Sequence, residues 1–143
     1  LSSDEVIVLV GLTEKQKATL PSGIIGITRT DSVTELAEIY TAADVFINLT
    51  LEDTFPTTNL EALACGTPVI TFQTGGSVES VEPTCGYVIP PGAIEVLLRV
   101  IGVVTETKKE HYMKAALDRT KRLYDIDDRC MDYISSYINL YFR

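Results

Sequence analysis

From residue 4 to residue 89, continuous apolar runs alternate with stretches whose apolar side chains recur every three or four positions. "DEVIVLVG" at 4–11 is an unbroken apolar run closed by Gly11, the pattern of a strand buried on both faces of a parallel sheet. "TEKQKATLP" predicts a short helix stopped by Pro21, and "GIIGIT" at 23–28 predicts a second strand. "DSVTELAEIYTAA" then places Val33, Leu36, Ala37, Tyr40 and Ala43 at helical spacing, with Asp31 or Ser32 as cap and Glu35 completing a capping box. "DVFINL" at 44–49 is a third strand. "PTTNLEALACG" is a helix with Pro56 in its first turn and Gly66 just beyond its end, and "TPVITF" at 67–72 is a fourth strand.

The alternation, with the crossover rule for parallel strands, predicts an α/β fold: a Rossmann-like open parallel sheet with helices on both faces. A short strand "GYVI" at 86–89 closes the α/β core, expected to span 1–91. Residues 92–143 form a helical tail. "GAIEVLLRVIGVV" is strongly apolar, the next helix carries Tyr112, Ala116, Leu117, Thr120, Leu123 and Tyr124 on one stripe, and the last carries Cys130, Tyr133, Ile134, Tyr137, Ile138 and Tyr141. These helices are expected to pack onto the sheet, making 1–143 a single domain.

Composition narrows the partners. With 143 residues, 45% of them hydrophobic, the chain has enough apolar surface for a sizeable core. A formal charge of −8 opposes binding to a phosphate backbone, so no nucleic-acid partner is expected, whereas a helix N-terminus still accommodates a small anionic ligand. Cys65, Cys85 and Cys130 are odd in number and widely spaced, which fits small core residues in a reducing compartment rather than a disulfide framework or a zinc site. No apolar run approaches the roughly 20 residues that cross a bilayer, so a cytoplasmic location is expected. Because a strand is already under way near Leu1, the sequence is expected to be a piece of a longer protein.

Open α/β sheets bind ligands where the carboxyl ends of strands meet helix N-termini. Here that rule points to Gly11 and Leu12, to 27–30, to 48–58 and to 72–77. The third place is the richest. In "LTLEDTFPTTNLEALACGTPVI", at 49–70, Glu52 and Asp53 follow a strand, Phe55, Pro56 and Thr57 open a helix, and Glu61 lies inside it about two turns beyond Asp53. Two carboxylates so spaced suit the hydroxyls of one ligand, with the amides between them serving an oxyanion, which is chemistry for a sugar nucleotide. Helix capping accounts for Asp53 equally well. It does not account for Glu61, whose neighbours Leu60, Ala62, Leu63 and Ala64 suggest a mostly buried helix where an unpaired charge is costly. Gly75 and Gly76 fit either a ligand phosphate or a tight turn, His111 in "KKEHYMK" is a solvated helix residue, and the C-terminal tyrosines are core or interface residues.

"LTLEDTFPTTNLEALACGTPVITFQTGGSVESV", with "LAEIYTAADVFINLTLED" and "CGYVIPPGAIEVL" beside it, resembles the family 4 glycosyltransferases, also called glycosyl transferases group 1, through an E-x7-E motif, the A-C-G-T-P-V-I run and a G-G-x-x-E turn. The resemblance covers most of the chain to about residue 100, and is nearest to members that build capsular or other cell-surface polysaccharides. It implies the GT-B fold, in which two Rossmann-like domains face across a cleft, and makes this chain the donor-binding second domain. Asp53 stands where the family has its first glutamate, which contacts the hydroxyls of the donor sugar, and Glu61 where it has the second, which holds the ribose. These two are the implied catalytic pair.

Asp53 is one methylene shorter than the family's glutamate, so either the sugar sits slightly closer or Glu52 shares the role; by the same resemblance Phe55, Pro56, Thr57 and Thr58 face the sugar and phosphates, and Ile27, Thr28 and Arg29 lie near the base. Pro56 has no N-H to give. The family's basic phosphate clamp and its acceptor domain have no counterpart in these residues, so the chain by itself is expected to be inactive and open to self-association. The whole enzyme is expected to transfer a hexose from a UDP or GDP sugar, with retention and without a metal or other cofactor, to a saccharide or lipid-linked acceptor at the inner membrane surface. The competing expectations are a non-enzymatic α/β module of the same fold, whose carboxylates would be neutralised by internal Lys or Arg partners, and a sugar-nucleotide epimerase.

Overall fold

The computed structural model describes residues 5–141; Asp4, at the head of the first expected strand, and Phe142, at the end of the last expected helix, lie outside them. Among the described residues five strands and seven helices follow one another: β1 (Ile7–Val10), α1 (Glu14–Lys17), β2 (Ile24–Ile27), α2 (Val33–Ala42), β3 (Phe46–Asn48), α3 (Thr57–Ala64), β4 (Val69–Phe72), α4 (Ser77–Ser80), β5 (Gly86–Ile89), α5 (Ile94–Thr107), α6 (Glu110–Tyr124) and α7 (Ile126–Tyr141). Every strand pairing is parallel. The strands form two sheets, β1 with β2 and β3-β4-β5, and the chain divides into two compact units between Glu38 and Ile39, within α2.

In the first unit β1 and β2 align Ile7 with Ile24 and Val10 with Ile27. Thr13 caps α1 in a capping box with Gln16. At the start of α2, Ser32 Oγ accepts from the Glu35 N-H at 3.1 Å while Glu35 Oε2 accepts from the Asp31 N-H at 2.6 Å, so Ser32 takes the cap and Glu35 closes the box. One expectation fails here: β1 is exposed along its whole length rather than buried on both faces. An apolar run shows that a strand is able to be covered on both sides. Covering it requires neighbouring elements, and β1 has a single strand partner in a two-stranded sheet.

The second unit holds the core. All four residues of β4 are buried, and because successive side chains point to opposite faces, this sheet is covered on both. Ile70 and Phe72 enter a cluster with Ile89 of β5, Leu97 and Val104 of α5 and Tyr112 of α6. Each such fully buried side chain contributes roughly 1.5–3 kcal/mol of hydrophobic stabilisation. The backbone at Gly66, just past α3, has φ +74°, a conformation that favours glycine, and lets the chain turn directly into β4.

Helix α6 presents Tyr112, Ala116, Arg119 and Thr120 inward. Buried Arg119 donates from Nη1 to Glu82 Oε2 at 2.6 Å, from Nη2 to the Glu79 carbonyl at 2.5 Å and from Nε to the Ser80 carbonyl at 3.2 Å. One guanidinium thereby satisfies the carbonyls left over at the end of α4 and fixes the segment that follows the glycine pair. Helix α7 departs from expectation: it has no buried residue, so its apolar stripe does not pack onto the sheet. The cysteines divide similarly. All three are free, with Cys85 buried, Cys65 half-buried and Cys130 exposed on α7, so the core reading holds for Cys85 and fails for Cys130.

Candidate functional site

The loop between β3 and α3 is held from below by buried amides. Asn48, the last residue of β3, donates from Nδ2 to Asn59 Oδ1 at 2.9 Å, and Asn59 Nδ2 donates to Ser80 Oγ at 2.8 Å. Ser80 Oγ in turn donates to the Ser77 carbonyl at 2.6 Å. At the other end, Asn48 Oδ1 accepts from the Thr50 hydroxyl at 2.6 Å and the Thr50 N-H at 3.1 Å. The chain of bonds ties the strand end, α3 and α4 together, and its buried members would be costly to leave unpaired.

Above this network, Asp53 turns its carboxylate back on the loop, where Oδ1 accepts from the Phe55 N-H at 2.9 Å. Asp53 is therefore not the cap of α3. That position belongs to Pro56, which offers no side-chain bond, and the N-H groups of Thr57 and Thr58, both exposed, open the helix without an intrahelical acceptor. The expected place of Pro56 shifts by one residue, from first turn to cap. The helix start keeps its partial positive charge for an anionic ligand.

Gly75 and Gly76 lie flat against the same loop. The Gly76 N-H donates to the Asp53 carbonyl at 3.3 Å, and Thr74 Oγ1 donates to the Thr50 carbonyl at 2.9 Å. A Cβ on Gly75 would collide with the Asp53 carbonyl oxygen, and one on Gly76 with that of Thr54. Close approach of two backbones accounts for the glycine pair. An open depression of about 420 Å³ at this junction is lined by Leu51, Glu52, Asp53, Thr54 and Gly75. It brings Glu52 and Asp53 together, while Phe55, Pro56, Thr57, Thr58 and Glu61 are outside its lining.

Glu61 sits on the second turn of α3 and is exposed, unlike the mostly buried carboxylate the sequence suggests. Helix α3 buries Asn59, Ala62 and Leu63 on one face, and Glu61 and Ala64 fall on the other. Its Oε2 accepts from the Tyr40 hydroxyl at 3.2 Å. Burial first, and then the charge of Glu61, hold the Tyr40 phenol well above its ordinary range, so it is a hydrogen-bond donor at any physiological pH. Tyr40 is legible in the sequence only as one of the apolar positions at helical spacing, with no ligand-side neighbour assigned to it. Its partner lies 21 positions away, which no local periodicity reveals.

Among the described residues the ion pairs are Lys114 with Asp118, Arg119 with Glu82 and Arg129 with Asp132, and neither Asp53 nor Glu61 takes part in one. Both carboxylates remain available to hydroxyls. Ile27, Thr28 and Arg29 lie at and beyond the carboxyl end of β2 in the first unit, with Thr28 half-buried and Arg29 exposed. His111 is exposed and rests edge-on against Tyr112, a solvated helix residue as expected. The tyrosines differ among themselves: Tyr112 is buried, Tyr124 packs against Phe55 with ring centroids 5.8 Å apart, and Tyr133 and Tyr137 are exposed. No cluster of three or more His, Cys, Asp or Glu side chains among the described residues is placed to hold a metal ion.

Parallel strands flanked by helices, with a polar loop and an open helix start at the carboxyl end of β3, define an α/β fold of the class whose ligands bind at strand carboxyl ends. The family described as "Glycosyl transferases group 1" matches residues 2–114, and the chain belongs to that family. Among curated proteins it is similar to a D-inositol 3-phosphate glycosyltransferase of Mycobacteroides abscessus, with 31% identity over 84 residues, 58% of this chain and 19% of the relative. Among solved structures it is similar to a sucrose-phosphate synthase from Thermosynechococcus elongatus, with TM-score 0.76 and 26% identity, covering 88% of this chain and 32% of that one. The fold is thus similar to a GT-B glycosyltransferase, and the chain spans about a fifth and a third of these two relatives.

Proposed function

We propose that this chain is the nucleotide-sugar donor-binding domain of a retaining glycosyltransferase. In this reading Asp53, assisted by Glu52, accepts hydrogen bonds from the hydroxyls of the transferred sugar, and Glu61 accepts them from the ribose. The N-H groups of Thr57 and Thr58 face the diphosphate, beside Phe55 and Pro56. The observation that carries the reading is the pairing of an uncapped α3 N-terminus with two carboxylates free of basic partners among the described residues. A helix start left open favours negative charge, and carboxylates without basic partners favour hydroxyls. Membership of a glycosyltransferase family supports the reaction class.

The donor is a UDP or GDP hexose and the acceptor a saccharide, lipid-linked, in the synthesis of surface polysaccharide at the cytoplasmic face of the inner membrane. No metal or other cofactor enters this scheme. The domain contributes positioning and stabilisation of the departing diphosphate. Saturation-transfer NMR of the chain with UDP, GDP and their glucose and mannose conjugates tests the reading. Binding is the readout, because the donor grip is what the reading assigns to this chain. Nucleotide signals are expected with the wild type and weakened with Glu61→Ala, while Asp53→Ala loses contacts to the hexose and keeps those to the nucleotide. A wild-type chain that receives no transfer to any of these ligands at millimolar concentration overturns the proposal.

A further inference from the structure

We infer that Tyr40 is a positioning residue for Glu61, aiming its carboxylate at the two ribose hydroxyls; the inference rests on the reading of Glu61 as the ribose acceptor. Glu61 is exposed, and a glutamate on a helix surface samples several rotamers, so its average orientation toward a ligand is poor. Tyr40 removes that freedom from one side. Its hydroxyl donates to Glu61 Oε2 at 3.2 Å, and the Glu61 carboxylate has no other hydrogen-bond partner among the described residues.

Tyr40 is itself firmly held. It is only 8% exposed, its ring meets Phe46 edge-on with centroids 5.3 Å apart, and its backbone carbonyl accepts from Thr67 Oγ1 at 2.5 Å. The donor is therefore anchored in strand, helix and loop at once, while the exposed acceptor carboxylate is held by this bond. A carboxylate pinned through Oε2 presents Oε1 and the remaining lone pair of Oε2 outward in one plane. That arrangement suits the adjacent hydroxyls of a ribose, which reach two acceptor positions together. Tyr40 contacts no ligand atom in this scheme and acts through Glu61.

The test is discrimination between ribo- and deoxyribonucleotides, a readout that a purely structural role would leave alone. UDP and GDP are each compared with their 2′-deoxy forms, by NMR titration of the 143-residue wild type, Tyr40→Phe and Glu61→Ala. The wild type is expected to prefer the ribonucleotide, and Tyr40→Phe to lose about tenfold in ribonucleotide affinity with no change for the deoxy form. Unchanged discrimination in Tyr40→Phe, while Glu61→Ala abolishes it, overturns the role of Tyr40 and leaves the reading of Glu61 standing. Unchanged discrimination in both variants overturns the reading of Glu61 and the inference with it. Should Tyr40→Phe fail to fold, the assigned Tyr40 Cζ resonance of the wild type decides: a larger shift with the ribonucleotide than with its deoxy form supports the inference, and equal shifts overturn it.

Discussion

The side chains of Asn48 and Asn59 meet in the interior, amide nitrogen to amide oxygen at 2.9 Å, and set the height at which the candidate loop leaves β3. Asn59 is fully buried and bonds onward to Ser80, so Asn59→Leu strands Asn48 Nδ2 and takes one partner from Ser80 Oγ, which keeps its bond to the Ser77 carbonyl. The expected cost is about 1–3 kcal/mol, measured by urea unfolding, because the orphaned buried donor forfeits its hydration. A double-mutant cycle with Asn48→Leu should recover part of the loss, since removing both partners removes the unpaired groups too.

The glycine pair should be intolerant for a steric reason. Gly75→Ala adds a Cβ against the Asp53 carbonyl oxygen at a residue whose φ is +42°, and Gly76→Ala adds one against Thr54. Each variant is expected to lose about 1–3 kcal/mol in stability and to displace the loop bearing Asp53. Amide shifts confined to 50–56 and 73–77 in a heteronuclear NMR spectrum would show the displacement.

Tyr40 and Cys85 predict a loss of stability in mild base. Burial raises both above their ordinary values of 10.0 and 9.0, so the folded chain keeps protons that the unfolded chain releases. With more protons bound in the native state, stability falls as pH rises through those ordinary values. The urea midpoint is expected to drop between pH 9 and pH 11, and to drop less in Tyr40→Phe. In the same experiment exposed Cys130 should react with a thiol reagent at once, and buried Cys85 only on unfolding.

Helix α7 exposes Ile134, Tyr137 and Ile138 at 49%, 60% and 52%, an apolar face that favours self-association. Light scattering is expected to show dimers or larger species as concentration rises, and Ile134→Glu with Ile138→Glu to return the chain to monomer. A strictly monomeric wild type at high concentration would count against this.

Local pattern made much of the fold legible. The alternation of apolar runs with helical spacing marks all five strands, and β5 runs over the residues expected of it. The capping box at Ser32 and Glu35 and the glycine after α3 are signals carried within a few residues, and they form as read. What the sequence by itself determined is thus element type, parallel order and the x7 spacing that puts Asp53 before α3 and Glu61 within it. Tertiary structure decided the rest. The exposure of β1 and of α7 depends on which elements cover them, a property of neighbours rather than of the run itself. Whether Asp53 caps a helix or folds back onto Phe55 depends on where the helix starts, and Pro56 sets that. The bond from Tyr40 to Glu61 joins residues 21 apart, and only the tertiary structure brings phenol and carboxylate within reach.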